Sequence, residues 1–310
     1  MNSELLKKSL TPPTDRVDAV LDTDTYNEID DQFALSYMLK SADKINVRAI
    51  YAAPFFNSHS ASAADGMEKS YNEIFNLLTL MGDEETKKIV YRGSTDYLSD
   101  EKTPVISDAA NHLAKLAMEY TAEKPLYVIA IGAITNVASA LLINPAIAER
   151  IVIVWLGGHS FEWPDTKEFN MYQDVAAARV VFDCGAPVVL LPCMGVVSAF
   201  TVSGDDMRGK LYGKNELCNY LVTHSENEVS SYVKPGAAWT RVIWDVTAVA
   251  WITGALKDGN NGFMRYKIVP APICEYDFTY SFDSSRQNIA YVYYINRDKL
   301  FNDLIDKLTK

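Results

Sequence analysis

The residues with the clearest chemical potential are four aspartates, Asp22, Asp24, Asp30 and Asp31, which fall within ten residues of one another. Like charges this close repel strongly unless a positive group neutralises them, and hard divalent cations prefer carboxylate oxygens. Acidic residues also favour the first turn of a helix, which would account for Asp30 and Asp31 better than for Asp22 and Asp24. The spacing therefore predicts a cation site.

Other polar residues lie at the ends of predicted strands or inside an apolar run. Asn57 lies in the loop after one predicted strand, and the turn Ile131-Gly132 ends another. Glu168 and Asn170 lie in a segment that follows the predicted strand 151–156. Asp245 lies within an almost wholly apolar segment, where an unpaired charge would be very costly. It must therefore join the cation site or cap the N-terminus of a helix.

The elements that position these residues alternate between strands and helices joined by short turns. The main apolar stretches typical of strands are residues 17–21, 47–53, 89–91, 127–131, 151–156 and 188–191. This alternation predicts an α/β fold with a single open, mostly parallel, Rossmann-like sheet, helices on both faces, and a few antiparallel strands near the C-terminus. The carboxyl ends of the strands share one edge, where ligands bind, so the polar residues should meet there.

Length, charge and cysteine content restrict the class of protein. We expect a single domain over residues 1–310, with residues 1–16 as a polar lead, because no linker or repeat interrupts the chain. The net charge of −11, without a Lys/Arg-rich run, argues against binding to nucleic-acid polymers or anionic membranes. Four scattered cysteines indicate a reduced, cytoplasmic protein.

Taken in order, these motifs resemble those of the nucleoside hydrolases, which are Ca2+-dependent ribonucleoside N-glycosidases. The similarity covers nearly the whole chain and is specific as an ordered set. The family's D-x-D and D-D pairs match Asp22, Asp24, Asp30 and Asp31. Its G-P-L-T-N turn is similar to Gly-Ala-Ile-Thr-Asn at 132–136. Its double glycine, its E-F-N motif and its late aspartate match residues 157–158, residues 168–170 and Asp245.

The resemblance implies a set of roles for this chain. Ca2+ would be held by Asp24, Asp31, Asp245 and the backbone carbonyl of Ile131, and Asp24 would also take a proton from the metal-bound water. The residues implied to hold the ribose hydroxyls are Asp30, Asn57, Glu168 and Asn170. The implied reaction is hydrolysis of the N-glycosidic bond of a small nucleoside, releasing free base and ribose. We also expect a homo-oligomer, either a dimer or a tetramer.

Two departures from the family pattern concern the sugar. Five residues, 25–29, separate Asp24 from the aspartate pair, two more than the family usually has, so this loop must bulge. Glu162 stands opposite an asparagine that touches the ribose in many members. A carboxylate there changes the charge at the 5′ side of the sugar, so Glu162 is included among the predicted substrate-binding residues.

A third departure concerns the leaving base. Many members have a histidine before the late aspartate, which protonates the departing base, and here that residue is Trp244. Tryptophan is not a useful proton donor, but it can stack on a base. The Trp-Asp pair resembles the purine-specific branch of the family, so we expect purine nucleosides to be favoured. Packing in the core is the alternative role for Trp244.

Two other functions are compatible with parts of the sequence. The D-x-D motif at Asp22 and Asp24 also resembles the start of haloacid-dehalogenase-like phosphohydrolases, but that function would leave Asp30 and Asp31 unexplained. A non-catalytic protein that binds a ribosylated ligand on the same scaffold is the second alternative, because fold does not fix function. Further candidates for the edge of the site are His59, His159, Phe55, Phe56, Tyr97 and Trp163.

Overall fold

The central feature of the fold is an eight-stranded sheet, described here from a computed structural model that covers residues 3–310. The strands of the described residues are, in chain order, β1 Val17–Thr23, β2 Ile45–Ala52, β3 Val90–Arg92, β4 Leu126–Ala130, β5 Ile151–Leu156, β6 Val188–Leu191, β7 Thr201–Ser203, β8 Thr240–Val242, β9 Met264–Pro270, β10 Pro272–Cys274, β11 Tyr280–Phe282 and β12 Asn288–Ile295. The large sheet has the order β3-β2-β1-β4-β5-β6-β12-β9, and its neighbours are parallel except for the β12–β9 pair. The predicted fold class is therefore confirmed.

Helices surround this sheet. They are α1 Ser3–Ser9, α2 Asp30–Leu39, α3 Ala63–Leu80, α4 Asp108–Leu116, α5 Thr135–Ile143, α6 Phe169–Gln173, α7 Val175–Asp183, α8 Gly204–Leu211, α9 Glu216–Val229, α10 Val246–Thr253 and α11 Arg297–Leu308. Short 3-10 helices occur at Thr86–Ile89, Ala117–Glu119, Pro145–Glu149 and Val197–Ala199. Within residues 3–310, none of the helices has the length and apolar character needed to cross a membrane.

Two hydrophobic clusters hold the helices to the sheet. Successive side chains of a strand point to opposite faces, so Ala19 and Leu21 of β1 join one cluster while Val20 joins the other. Helices α2, α3, α9 and α10 contribute to the first cluster, and α4, α5 and α7 contribute to the second. Every residue of β4 and β5 is buried, as expected for parallel strands that are covered on both faces.

Three segments differ from the sequence prediction. The predicted polar lead contains helix α1, and its Leu10 is buried in the first cluster. The antiparallel pair β7–β8, whose strands are separated by α8 and α9, was not predicted, because strands of three residues carry little periodic signal. The apolar run 242–252 predicts a buried helix from Trp244 to Ile252, but helix α10 begins at Val246, because the run continues through the turn before the helix and hides where it starts.

The buried side chain of Asn136 ties three elements together at the carboxyl edge of the sheet. Its Nδ2 donates to Asp22 Oδ1 at 2.8 Å and to the carbonyl of Ala52 at 3.2 Å. Its Oδ1 accepts from the backbone N–H of Ser94 at 2.7 Å and from the Ser94 hydroxyl at 2.9 Å. One amide thus links the ends of β1 and β2 to the segment after β3.

Replacing this amide should destabilise the protein. Asn136→Ala leaves a buried carboxylate oxygen, a carbonyl and an N–H without partners, so we expect the free energy of unfolding to fall by about 2–4 kcal/mol. Urea denaturation followed by circular dichroism measures the change. Asn111→Ala, at an exposed position of α4, is the matched control and should change stability by less than about 0.5 kcal/mol. Equal effects from the two substitutions would contradict the role assigned to Asn136.

Candidate functional site

Carboxylates from three separate segments converge at the carboxyl end of β1. Asp24 follows this strand directly, Asp30 and Asp31 form the first turn of α2, and Asp245 precedes α10. Carboxylate oxygens of Asp30, Asp31 and Asp245 lie within 4.8 Å of one another. The backbone N–H of Asp245 donates to Asp30 Oδ2 at 3.3 Å, whereas the Asp245 side chain makes no capping bond to α10. Asp245 thus occupies the N-cap position of α10, but its carboxylate lies in the cluster and does not cap the helix.

This cluster has the properties of a cation site. Asp24 is buried, and neither of its carboxylate oxygens has a hydrogen-bond partner. Burial raises the pKa of Asp24 well above its usual range, and the nearby Asp31 and Asp30 raise it further. Burial likewise raises the pKa of Asp245, together with the charges of Asp30 and Asp31. A hard divalent cation would satisfy these oxygens and remove the repulsion, so the residues present fit such an ion.

A cavity of about 210 Å³ opens beside the carboxylates. It is lined by eight of the ten residues predicted from the sequence: Asp24, Asp30, Asp31, Ile131, Glu168, Asn170, Trp244 and Asp245. A cavity of this volume can hold one small molecule in contact with the carboxylate cluster. The remaining two predicted residues, Asn57 and Glu162, do not line it.

Glu168 and Asn170 form one wall of the cavity and are held rigidly. Glu168 precedes α6, and its two oxygens accept backbone N–H groups of Gly158, Asn170 and Met171 at 2.8 to 2.9 Å. Burial raises the pKa of Glu168 to about 7, although these hydrogen bonds oppose the increase. Asn170 Nδ2 donates to the carbonyls of Ile131 at 3.2 Å and Leu156 at 3.0 Å. A carbonyl oxygen has two lone pairs, so the Ile131 oxygen can still accept a second partner.

Asn57, which the sequence predicts to contact the ribose, does not line the cavity, whereas residues of the longer first loop do. Asn57 is half-buried, and its Nδ2 donates to Asn27 Oδ1 at 2.6 Å. Asn27 and Glu28, which sequence reasoning did not select, line the cavity instead. The one sequence feature that points to Asn27 and Glu28 is the length of the loop 25–29, which has two residues more than the family usually has. Glu162 is exposed on the connection between β5 and α6.

Trp244 lies beside the cavity and is half-buried. Its indole Nε1 is buried without a hydrogen-bond partner, and the ring also packs against the first hydrophobic cluster. His159 lines the cavity as well, and its Nδ1 accepts from the backbone N–H of Met194 at 3.3 Å. Among the further sequence candidates, Phe55, Phe56, Tyr97, Trp163 and His59 do not line the cavity.

The fold and the site define an α/β protein with a carboxylate cluster and a small-molecule cavity at the carboxyl edge of a parallel sheet. The chain matches the inosine-uridine preferring nucleoside hydrolase family over residues 19–267, more than half of its length. It belongs to this family, whose members hydrolyse N-glycosidic bonds. The resemblance predicted from the sequence is confirmed, and the phosphohydrolase alternative is not supported.

Curated relatives cover only part of this chain. It is 38% identical over 85 residues to the pyrimidine-specific ribonucleoside hydrolase RihA of Escherichia coli, which is 26% of this chain and 27% of that protein. It is 28% identical over 158 residues to RihA of Salmonella paratyphi A, 48% of each protein. The matched segments therefore span about a quarter to a half of these relatives.

Solved structures match over almost the full chain at lower identity. A plant nucleoside hydrolase has a TM-score of 0.71 at 19% identity and covers 94% of this chain and 99% of its own. A purine-preferring ribonucleoside hydrolase from Gardnerella vaginalis has a TM-score of 0.69 at 18% identity, with coverage of 94% and 98%. These similarities establish that the fold is shared.

The buried carboxyls predict how stability depends on pH when no cation is bound. Burial raises the pKa of Asp22, Asp31 and Glu168 to about 7, above the values of about 4 expected in the unfolded chain. A carboxyl with a raised folded pKa stabilises the fold at low pH, and this contribution is lost as the pH rises through the folded pKa. We therefore expect the free energy of unfolding of chelator-treated protein to fall from about pH 4 to about pH 7, the interval between the unfolded and folded pKa values.

Urea denaturation at a series of pH values, with chelator or with an excess of divalent cation, measures this dependence. The cation should flatten the decline, because it stabilises the ionised carboxylates. A metal-free protein whose stability stays constant or increases over the same interval would contradict the assignment.

Proposed function

We propose that the protein is a Ca2+-dependent nucleoside hydrolase that cleaves the N-glycosidic bond of ribonucleosides and favours purine bases. The observation that carries the proposal is Asp24, a buried carboxylate with two unpartnered oxygens in the wall of a nucleoside-sized cavity. Its neighbours Asp31 and Asp245 and the carbonyl of Ile131 would complete the ligands of the ion. Family membership supports the reaction class.

In the proposed reaction, bound Ca2+ would orient a water molecule, lower its pKa and anchor the ribose diol. Asp24 accepts a proton from this water as the water oxygen attacks C1′ of the sugar. The products are free base and ribose.

Carboxylates around the sugar would favour the transition state. Cleavage of the C1′–N bond leaves positive charge on the sugar ring, as in glycoside hydrolysis. Asp30 and Glu168 line the cavity, and preorganised negative groups stabilise a developing cation more strongly than they stabilise the neutral substrate. Glu168 cannot rotate away easily, because three backbone N–H groups fix its oxygens.

The purine preference rests on Trp244. An indole beside the cavity can stack on the leaving base, and a purine offers a larger ring and an N7 that accepts a proton from solvent. The relatives include both a pyrimidine-specific and a purine-preferring hydrolase, so the base preference has to be argued from this chain.

The proposal also includes assembly as a homo-oligomer and a cytoplasmic location. The alternative of a non-catalytic ribosyl-binding protein predicts binding without release of base.

Release of free base from inosine, with Ca2+ and with chelator, tests the activity. We expect turnover with Ca2+ and a large loss with chelator. Asp24→Asn should lower kcat by about 10²-fold or more, because general-base catalysis alone contributes about 10²–10⁴-fold. Asp205→Asn, at an exposed position of α8, is the matched control and should keep full activity. Tight nucleoside binding by the wild type without base release would favour the non-catalytic alternative.

If Trp244 stacks on the leaving base, its removal should lower kcat mainly for purine nucleosides. Trp244→Ala should lower kcat for inosine about ten-fold, corresponding to about 1.4 kcal/mol of transition-state stabilisation, and should affect uridine less. Trp239→Ala, which also removes an indole packed against the first cluster, controls for lost packing and should lower only the melting temperature. A wild-type preference for uridine over inosine would contradict the stacking role.

A further inference from the structure

Hydrogen-bond acceptors are far more numerous than donors in the cavity. Six carboxylate side chains line it: Asp24, Glu28, Asp30, Asp31, Glu168 and Asp245. An ionised carboxylate only accepts hydrogen bonds, whereas each ribose hydroxyl both donates and accepts. The carboxylates can receive the hydroxyl protons, but the hydroxyl oxygens also need donors. A bound cation would satisfy some of these oxygens, and protein N–H groups would serve others. Besides the asparagines, Lys167, His159 and Trp244 carry N–H groups at the cavity.

Two asparagines line the cavity, and only one has free donors. Asn170 uses its Nδ2 on the carbonyls of Ile131 and Leu156. Asn27 is 8% exposed, and the hydrogen bonds of the described residues leave its Nδ2 without an acceptor. Asn27 is therefore the amide that can donate to a ligand.

The orientation of the Asn27 amide follows from a chain of two hydrogen bonds. The backbone N–H of His59 donates to Asn57 Oδ1 at 2.8 Å, which identifies the Asn57 oxygen as the acceptor. Asn57 must then donate through Nδ2, and it does so to Asn27 at 2.6 Å. The Asn27 atom that receives this bond must be Oδ1. Both N–H groups of Asn27 Nδ2 are consequently left for other partners.

The first loop is braced from both sides, so Asn27 holds its position. The backbone N–H of Asn27 donates to the carbonyl of Asp24 at 2.7 Å, and the Asn27 carbonyl lies 2.9 Å from His59 Nδ1. On the other side, Arg241 forms salt bridges with Glu28 at 3.1 Å and with Glu228 at 2.9 Å. These contacts connect the loop to the segment after β2 and to the elements before Trp244.

We propose that Asn27 is a substrate-binding residue that donates a hydrogen bond from Nδ2 to a ribose hydroxyl oxygen. Asn57 is then a positioning residue that acts through Asn27 by fixing its amide. The two additional residues of the first loop thus move the sugar contact from Asn57 to Asn27. This inference rests on the proposed function for the identity of the ligand as a ribosyl compound.

Binding of 1,4-dideoxy-1,4-imino-D-ribitol, measured by calorimetry with excess Ca2+, tests the inference. This compound carries the ribose hydroxyls but has no glycosidic bond to cleave. Asn27→Ala should weaken its binding about ten-fold, the upper range for one neutral hydrogen bond. Asn27→Asp keeps an oxygen for Asn57 but removes the donor, so it should weaken binding at least as much. Asn111→Ala is the matched control and should bind like wild type.

A double-mutant cycle separates a positioning role of Asn57 from direct contact. Asn57→Ala should also weaken binding in the wild type, but it should add almost nothing when Asn27 is already alanine. Additive losses would show that Asn57 acts independently and would overturn its positioning role. Unchanged binding by both Asn27 variants, with wild-type melting temperatures, would overturn the proposal for Asn27.

The same measurements separate this inference from the proposed function. If the wild type binds the iminoribitol and Asn27→Ala weakens that binding, the contact is supported even when inosine is not hydrolysed, and only the catalytic proposal fails. If the wild type hydrolyses inosine and both Asn27 variants bind normally, the catalytic proposal stands and the inference fails. No binding by a wild type that retains its fold would overturn both.

Discussion

Repulsion among buried carboxylates is the constraint on which the rest of this site depends. Asp24, Asp31 and Asp245 are buried, carboxylate oxygens of Asp31 and Asp245 lie within 4.8 Å of one of Asp30, and none of the three forms a salt bridge among the described residues 3–310. In the absence of a cation this arrangement is stable only if several carboxyls are protonated, as their raised pKa values indicate. Binding a divalent cation converts an unfavourable cluster into a ligand set.

The surrounding structure keeps these groups from relaxing apart. Asn136 fixes Asp22 below the cluster, and Thr23 donates to Asp31 Oδ1 at 2.5 Å. Glu168 is fixed by backbone N–H groups, and the first loop is braced by Asn57, His59 and Arg241. Such preorganisation matters for catalysis, because groups already oriented toward developing charge do not have to reorganise during the reaction.

Two of the three departures from the family pattern, the longer first loop and Trp244, lie in one connected region of the site. Asn27 and Glu28 of the loop line the cavity, and Arg241 of β8, the strand that leads to Trp244, forms an ion pair with Glu28. The longer loop beside the carboxylate cluster and the tryptophan beside the cavity are therefore linked through one ion pair. Proteins similar to this chain include a pyrimidine-specific and a purine-preferring hydrolase, so base preference varies among them.

The sequence by itself determined the sheet, because apolar runs such as 151–156 and 188–191 depend only on local composition and coincide with β5 and β6. It also determined that Asp24, Asp30 and Asp31 would meet, since they flank one strand-to-helix connection. Tertiary structure decided which distant side chains touch. The contact of Asn57 with Asn27 and the pairing of β12 with β6 in the main sheet depend on the paths of loops and on packing between elements. Local periodicity carries no information about such paths, so these features appear only when the chain is folded.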